Sequence, residues 1–223
     1  KNNHEGYIKL IKEEMLPVIA AEKLADYIDV FCEKGFFSVE ETEEICKAGM
    51  ALGLQPKIHA NQLNAIGAVE AAVKLNALSV DHLETMDASA IEALSNSNTI
   101  GTLLPGAAFF LNKQYPPARE LIHKNAIVAL ASDYNPGSCP SGNMSLILSL
   151  ASIKMKMLPA EAINAATING AFAMEVNKIA GSIAIGKKAN LIITKPVPSV
   201  DYLSYAYGSN HISRVMISGD WIN

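Results

Sequence analysis

The sequence predicts an α/β protein whose strands form a parallel sheet or barrel, with a small β segment near the C-terminal end. Apolar runs of strand length alternate with segments of helical spacing about every 25 to 50 residues, which is typical of right-handed βα units. After Gly142 this alternation is replaced by two helical segments and several short β runs. With 223 residues, half of them apolar, the chain is long enough to bury a substantial core.

The first third of the chain contains three predicted helices and two predicted strands. Ser38 and Glu41 form a capping-box pattern, which predicts a helix that begins there and ends near Gly53. The other predicted helices lie at 6–23 and 65–75, and the predicted strands at 24–31 and 56–60. His59 belongs to the second of these strands.

The alternation continues through the middle of the chain. Strands are predicted at 78–83, 99–104 and 127–131, and helices at 87–95 and 115–123. His82 ends the first of these strands, and Asp133 follows the last one, just before a turn through Asn135, Pro136 and Gly137. Farther along, helices are predicted at 144–155 and 159–174, and short β runs at 181–186, 189–194 and 214–222.

The composition excludes several classes of partner. The net charge of −4, the pI of about 5.7 and the scattered Lys and Arg residues argue against nucleic acid and membrane surfaces. Three cysteines without a close pair (Cys32, Cys46 and Cys139) argue against a disulfide framework, so a cytoplasmic protein is expected. No apolar run approaches the roughly 18 residues of a membrane span, and no signal peptide is recognisable.

Three ionisable side chains end or follow predicted strands: His59, His82 and Asp133. In a barrel the carboxyl ends of the strands converge on one rim, so these side chains are expected to lie around one ion or one water. Neutral imidazole and carboxylate suit a divalent metal such as zinc, which lowers the pKa of bound water to about 7 and polarises a carbonyl. The pattern therefore predicts a metal-dependent hydrolytic site.

Each of these residues also has a structural interpretation. A strand-end histidine is more often packed by hydrogen bonds than bound to metal, and an Asp before a turn commonly serves the turn itself. Glu33 either faces the site or is an exposed carboxylate at a helix entry, and Cys139 is interpreted as a loop residue without a nucleophilic role. The other histidines are expected to be structural (His123) or solvated (His4 and His211).

Four sequence stretches resemble one enzyme family. They are DVFCEKGFFSVEET (Asp29–Thr42), KIHANQ (Lys57–Gln62), SVDHLE (Ser79–Glu84) and ASDYNPGS (Ala131–Ser138). Together they resemble the amidohydrolase superfamily and, within it, the imidazolonepropionase family, and the resemblance extends over essentially all 223 residues. It implies part of a (β/α)8 barrel of the metal-dependent hydrolase type at residues 1–178 and a β segment of a composite sandwich domain at residues 179–223.

The resemblance also implies roles for single residues. His59 would be the metal ligand of the fifth barrel strand and Asp133 that of the eighth, while His82 on the sixth would act as an acid–base or electrostatic group. Four loop residues would contact the substrate: Gln62, Asn135, Gly137 and Ser138. Gln62 occupies a position that is often Glu in the family, and a glutamine can bond the substrate ring but cannot take a proton. A general base would therefore have to be Asp133 or His82.

The implied activity is hydrolysis of the cyclic amide of 4-imidazolone-5-propanoate to N-formimidoyl-L-glutamate, a step of histidine degradation that uses a metal-activated water. The implied cofactor is one divalent metal, zinc or iron, and a homodimer is expected when the protein is full length. Two alternatives stay open: another amidohydrolase, such as a deaminase of the cytosine or guanine type, and a non-catalytic binding module.

One motif of the family is missing from the sequence. No His-x-His pair occurs, although the family carries one on its first barrel strand. The first three strands, with further metal and substrate ligands, are therefore expected to lie before Lys1, so that the chain corresponds to the C-terminal portion of the enzyme. On this hypothesis the 223 residues alone would be inactive, would bind metal weakly and would expose a sheet edge.

Overall fold

The computed structural model describes residues 3–222, in which helices alternate with strands as far as Leu130. The helices are α1 (His4–Leu10), α2 (Leu16–Glu22), α3 (Val39–Ala51), α4 (Ala68–Lys74), α5 (Ala88–Ser95), α6 (Pro105–Phe110), α7 (Ala118–His123), α8 (Met144–Ile153), α9 (Pro159–Asn164), α10 (Gly170–Ala173) and α11 (Tyr202–Tyr205), with π-helical turns at Ile11–Met15 and Ala165–Asn169. The strands are β1 (Tyr27–Cys32), β2 (Gln55–Ala60), β3 (Ser79–His82), β4 (Ile100–Leu103), β5 (Val128–Leu130), β6 (Leu191–Thr194), β7 (Ile212–Ile217) and β8 (Asp220–Ile222). The predicted α/β alternation is confirmed.

The first five strands form one sheet in chain order. β1 pairs with β2 and β2 with β3, both in parallel, and the register places Phe31 opposite His59 and Ala60 opposite His82. Parallel pairing in chain order brings the carboxyl ends of these three strands to the same edge of the sheet. The residues that follow β1, β2 and β3 are therefore neighbours.

The capping box predicted for α3 is confirmed. The backbone N–H of Glu41 donates to Oγ of Ser38 at 3.2 Å, and the backbone N–H of Ser38 donates to Oε2 of Glu41 at 2.8 Å. The Ser38 N–H is the main cause of the lowered pKa of Glu41. The helix ends at Ala51, slightly earlier than predicted, and Gly53 follows with a left-handed φ of +88°.

The strands β6, β7 and β8 form a second, antiparallel sheet. The single β run predicted at 214–222 is a hairpin in the structure. Ser218 and Gly219, with φ of +54° and +97°, turn the chain between β7 and β8. Two consecutive residues with positive φ form the tight turns that suit the twist of a hairpin.

The prediction of a strand at 181–186 is wrong, because this segment forms a loop in the structure. Ile183 and Ile185 alternate with smaller residues as in a strand, but both side chains are exposed. Gly181 and Gly186 have left-handed φ values of +84° and +90°, which bend the chain away from an extended course. The alternation of apolar residues here therefore does not indicate a sheet face.

The helices differ from the predictions mainly in length and interruptions. The segment predicted as one helix at 6–23 contains a π-helical turn, and the one at 159–174 contains another. The sequence analysis predicts neither of the short helices α6 and α11. Helix α6 begins with Pro105, and its first four residues are buried. It contains no polar side chain, so its sequence has no amphipathic pattern. Among the helices of residues 3–222, none is both long and apolar enough to cross a membrane.

By its contacts the chain divides into two compact units, Lys1–Gly101 with Lys124–Ile127 and Thr102–His123 with Val128–Asn223. In the first unit α3 packs closely on β1, because a Cβ at Gly49 would lie only 2.6 Å from Cδ1 of Ile28. Fully buried side chains of the first unit include Ile58, Val69, Val80, Leu83 and Leu94. Those of the second unit include Leu103, Leu121 and Ile147.

An ion pair joins α7 to α9 within the second unit. Nη1 of Arg119 donates to Oε1 of Glu161 at 3.1 Å, Nη2 donates to Oε2, and the guanidinium also donates to the carbonyl oxygen of Lys156 at 2.8 and 3.0 Å. The hydrogen bond from Arg119 is the main reason why the pKa of Glu161 lies below its ordinary value of 4.5. Because the folded-state pKa is lowered, this stabilisation is complete above the unfolded-state pKa and disappears as pH falls through the folded-state pKa.

We therefore expect the urea midpoint of the wild type to fall as the pH is lowered from about 6 towards 3, and Glu161→Gln to reduce that slope. The variant should also be less stable at neutral pH, because a neutral amide would replace the charge that Arg119 binds. Glu120→Gln, which changes an exposed carboxylate on α7, is the matched control. Identical acid slopes for wild type and Glu161→Gln would contradict the prediction.

Candidate active site

His59 lies near the end of β2, and a carboxylate of the neighbouring strand holds its ring. Nδ1 of His59 is 2.9 Å from Oδ1 of Asp29 on β1. The register pairs His59 with Phe31, two residues beyond Asp29, so both side chains point to the same face of the sheet. When Nδ1 carries the proton of this hydrogen bond, the lone pair of the neutral ring is on Nε2. A metal-ligating histidine typically has such a carboxylate behind it.

His82 ends β3 next to His59, with 5.3 Å between the ring centroids. Its side chain is buried, and Nδ1 lies 3.3 Å from Oε1 of the buried Glu84. The backbone is left-handed at His82 (φ +86°) and at Leu83 (φ +68°). Such conformations cost about 1–3 kcal/mol each in residues other than glycine and cluster at functional sites. The structure therefore brings the two predicted histidines together at a strained strand end.

The sequence predictions missed the two carboxylates that contact these histidines. Asp29 is a charged residue inside an otherwise apolar strand, and that position was the available signal. Glu84 follows His82 by two residues within the stretch SVDHLE. Neither contact is predictable from spacing alone, because the first depends on the register of β1 against β2 and the second on the left-handed turn after β3.

In the second unit, the loop after β5 gathers four predicted site residues. Oγ of Ser138 donates to Oδ2 of Asp133 at 3.0 Å, and Nδ2 of Asn135 donates to the carbonyl oxygen of Asp133 at 2.8 Å and to Oγ of Ser138 at 2.7 Å. Oδ1 of Asn135 accepts the N–H groups of Gly137 and Ser138 at 2.8 and 2.7 Å. Asp133 itself has a left-handed φ of +53°. The side-chain amide of Asn135 thus makes four hydrogen bonds that stabilise the conformation of this loop.

Replacing Asn135 with alanine should lower the free energy of unfolding by about 1–3 kcal/mol, because it removes both halves of this network. Asn135→Asp should cost less, since it keeps an oxygen that accepts the Gly137 and Ser138 N–H groups. Urea unfolding of both variants against the wild type is the measurement. Equal losses in the two variants would show that the accepting oxygen of Asn135 does not organise the loop.

Glu33 directly follows β1 and is buried, with only 1% of its surface exposed. The alternative of an exposed carboxylate at a helix entry is therefore wrong. The physical reason is that N–H groups of the loop after β2 surround the carboxylate and replace its water. Gln62, a predicted substrate contact, is half-buried in that loop.

The remaining histidines have structural contacts or positions. His123 ends α7, as predicted. His4 is largely exposed but pairs with Glu41 at 3.1 Å. His211 is partly buried, with Nε2 3.3 Å from a backbone carbonyl and its ring 5.3 Å from that of Tyr202, so the expectation of a solvated side chain is wrong for it.

The cysteines have packing roles. All three are free and buried, which confirms that they form no disulfide framework. Burial raises the pKa of the Cys46 thiol to about 12. Cys139 closes against Gly106, where a Cβ would lie 2.7 Å from the Cys139 sulfur. Cys139 is thus a packed residue of the loop after β5, and its predicted position in a loop is confirmed.

Each of the two units contains a predicted metal ligand whose side chain has suitable chemistry. His59 has the supporting carboxylate expected of a ligand, and Asp133 offers a carboxylate held by Ser138. Between residues 3 and 222, however, no group of three or more His, Cys, Asp or Glu side chains is placed to hold an ion. Zinc enzymes hold their metal with three protein ligands. These residues therefore do not form a metal centre by themselves.

A family model and several curated proteins match the sequence of this chain. Residues 33–222 match the model of the amidohydrolase family. The chain is 58% identical over 222 residues to the imidazolonepropionase of Flavobacterium johnsoniae and 43% identical over 208 residues to that of Bacillus cytotoxicus. These alignments cover 100% and 93% of the chain but 54% and 49% of the two relatives. The chain thus spans about half the length of the curated relatives it matches.

Solved structures with a similar fold are more distant in sequence. An adenosine deaminase from Xanthomonas campestris with bound zinc has a TM-score of 0.70 at 18% identity, over 83% of this chain and 49% of that one. A Xaa-Pro dipeptidase with bound methionine has a TM-score of 0.72 at 18% identity, over 95% and 58% of the two chains. At this identity the likeness concerns the fold alone. It confirms the predicted α/β class, with five strands that form part of a barrel.

Proposed function

Because this chain belongs to the amidohydrolase family, we propose that the whole protein is a hydrolase that opens the ring of 4-imidazolone-5-propanoate to give N-formimidoyl-L-glutamate. The observation that carries the proposal is the 58% identity over 222 residues to a protein named imidazolonepropionase. The pairing of His59 with Asp29 and its proximity to His82 provide independent support from the geometry. The reaction would belong to histidine degradation.

In this proposal His59 and Asp133 are two of the metal ligands, and further ligands come from outside these 223 residues. One divalent metal, zinc or iron, would supply an activated water and polarise the ring carbonyl. The carboxylate of Asp29 would fix the ring of His59 in the orientation that a ligand needs.

The other assigned residues act on the proton, the oxyanion and the substrate. Asp133 accepts a proton from the water that attacks the ring carbonyl carbon, and the hydroxyl of Ser138 orients its carboxylate. His82 donates a hydrogen bond to the oxyanion that develops on the carbonyl oxygen. The ring C–N bond then breaks, and its nitrogen takes up the proton that Asp133 accepted from the water, which regenerates the Asp133 carboxylate. Proton transfer of this kind contributes about 10²- to 10⁴-fold to the rate. The residues proposed to contact the substrate are Gln62, Asn135, Gly137 and Ser138.

The organisation of the protein is part of the same proposal. Residues 1–178 would belong to the barrel and residues 179–223 to a β-sandwich segment, which the separate sheet of β6, β7 and β8 supports. We also propose a cytoplasmic location and a homodimer of the whole protein, with a small molecule as the substrate and neither nucleic acid nor membrane as a partner.

Incubation of the purified whole protein with imidazolone propionate tests the function. We expect loss of the substrate's ultraviolet absorbance and formation of one equivalent of N-formimidoyl-L-glutamate by mass spectrometry. Cytosine and guanine are the comparison substrates. Ammonia release from either base without ring opening of the imidazolone would overturn the proposal in favour of a deaminase, and turnover of none of the three would favour a binding module.

A further inference from the structure

Glu33 lies outside the residues assigned above, yet its buried carboxylate accepts four hydrogen bonds at the end of β1. Oε1 accepts the backbone N–H of Lys34 at 2.8 Å and Nδ2 of Asn64 at 2.9 Å. Oε2 accepts the backbone N–H groups of Leu63 at 2.8 Å and of Asn64 at 3.2 Å. Three of the four donors belong to the loop after β2. Hydrogen bonds to an ionised carboxylate are about twice as strong as those between neutral groups.

A second set of hydrogen bonds holds the opposite side of the same loop. Asn61 is fully buried and has a left-handed φ of +54°. The backbone N–H and Oγ1 of Thr85 donate to its carbonyl oxygen at 2.8 and 2.7 Å, and Nδ2 of Asn61 donates to the carbonyl oxygen of Thr85 at 2.9 Å. Gln62 therefore lies between an anchor at Asn61 and an anchor at Leu63 and Asn64.

We propose that Glu33 is a positioning residue that fixes the backbone on the far side of Gln62 and thereby orients the Gln62 amide toward the substrate. The role of Gln62 rests on the function proposed above, whereas the fixation of the loop by Glu33 does not. A misplacement of about 1 Å in a substrate-binding group can cost on the order of 10²-fold in rate. A buried carboxylate that joins two strand ends is suited to prevent such movement.

Glu33→Gln in the whole protein tests the fixation of the loop without any substrate. Glutamine keeps the size of the side chain but replaces one of the two carboxylate oxygens with an amide nitrogen. This nitrogen cannot accept a hydrogen bond, so two of the four donors lose their acceptor. We expect amide hydrogen exchange at Leu63 and Asn64 to accelerate at least about 10-fold, because local opening no longer has to break these bonds. Unchanged exchange at both amides would overturn the proposal. Glu33→Asp, which keeps the charge and shortens the reach, gives the same test if Glu33→Gln does not fold.

A double-mutant cycle tests whether Glu33 acts through Gln62. We expect Glu33→Gln to raise KM about 10-fold with a smaller change in kcat, and to have an effect of less than about twofold when Gln62→Ala is already present. Glu161→Gln, which removes a carboxylate from the α7–α9 ion pair in the other unit, should leave KM unchanged. Effects of Glu33→Gln and Gln62→Ala that simply multiply would show a merely structural role and overturn the proposal. A wild type that does not turn over imidazolone propionate would overturn the proposed function instead, while the exchange measurement would still decide the role of Glu33.

Discussion

Replacing His59 with alanine is expected to remove most of the bound metal from the whole protein and to lower turnover at least about 10³-fold. Asp133→Asn should have a similar effect, since Asp133 is proposed both to bind the metal and to accept the proton of the water. The effect expected for His59→Ala is based on the environment of the His59 ring. Nδ1 of this ring is 2.9 Å from Oδ1 of Asp29, and such a carboxylate orients a histidine for metal binding. Metal content by elemental analysis and kcat on imidazolone propionate are the two readouts.

Two variants make this prediction specific. Asp29→Asn keeps the imidazole but weakens its support, so metal affinity should fall about 10- to 100-fold, less than for His59→Ala. His123→Ala changes a histidine at the end of α7 and should leave metal content unchanged. Near-normal activity in either His59→Ala or Asp133→Asn would show that the metal assignment is wrong.

Replacing His82 with glutamine is expected to lower kcat by about 10²- to 10⁴-fold while the metal content stays near that of the wild type. His82 is buried beside the ring of His59, and its Nδ1 lies 3.3 Å from Oε1 of Glu84. Its proposed role is to stabilise the oxyanion and not to bind the ion. Glutamine can donate a hydrogen bond but cannot carry a positive charge. The variant therefore distinguishes stabilisation of the oxyanion by a charge from stabilisation by a hydrogen bond alone.

Metal analysis and single-turnover kinetics on the same preparation distinguish the possibilities. Loss of metal together with activity would make His82 a ligand, and retention of full activity would exclude it from the chemistry. Circular dichroism should confirm that the variant is folded, since residues 82 and 83 both have left-handed backbone.

The sequence was sufficient to predict which residues lie at the strand ends, but it was insufficient to predict the contacts that they make. His59 and His82 are predictable because apolar runs end at or just beyond them, and parallel strands in chain order bring such ends to one edge. The contact of Asp29 with His59 depends on the register of two strands, which no local pattern specifies. The burial of Glu33 depends on hydrogen-bond donors about thirty residues farther along the chain. The residues next to Glu33 in the sequence therefore do not indicate that it is buried.

Local patterns also explain the errors outside the site. Ile183 and Ile185 alternate as in a strand, but alternation alone does not supply a partner strand, and the segment is a loop. Ser218 and Gly219 form a turn inside an apolar run, and a two-residue interruption of this kind is easily taken as part of one strand. By contrast, the capping box at Ser38 is purely local and was predicted correctly.

The hydrogen bonds of the Asp133 loop and the bond between His59 and Asp29 span different lengths of the chain. The hydrogen bonds of Asn135 described above close between residues 133 and 138, so the entropy of ordering them is small and they require no distant strand. The bond between His59 and Asp29 forms only after β1 and β2 have paired. The conformation of the Asp133 loop is therefore stabilised from within residues 133–138, whereas the orientation of the His59 ring depends on the sheet.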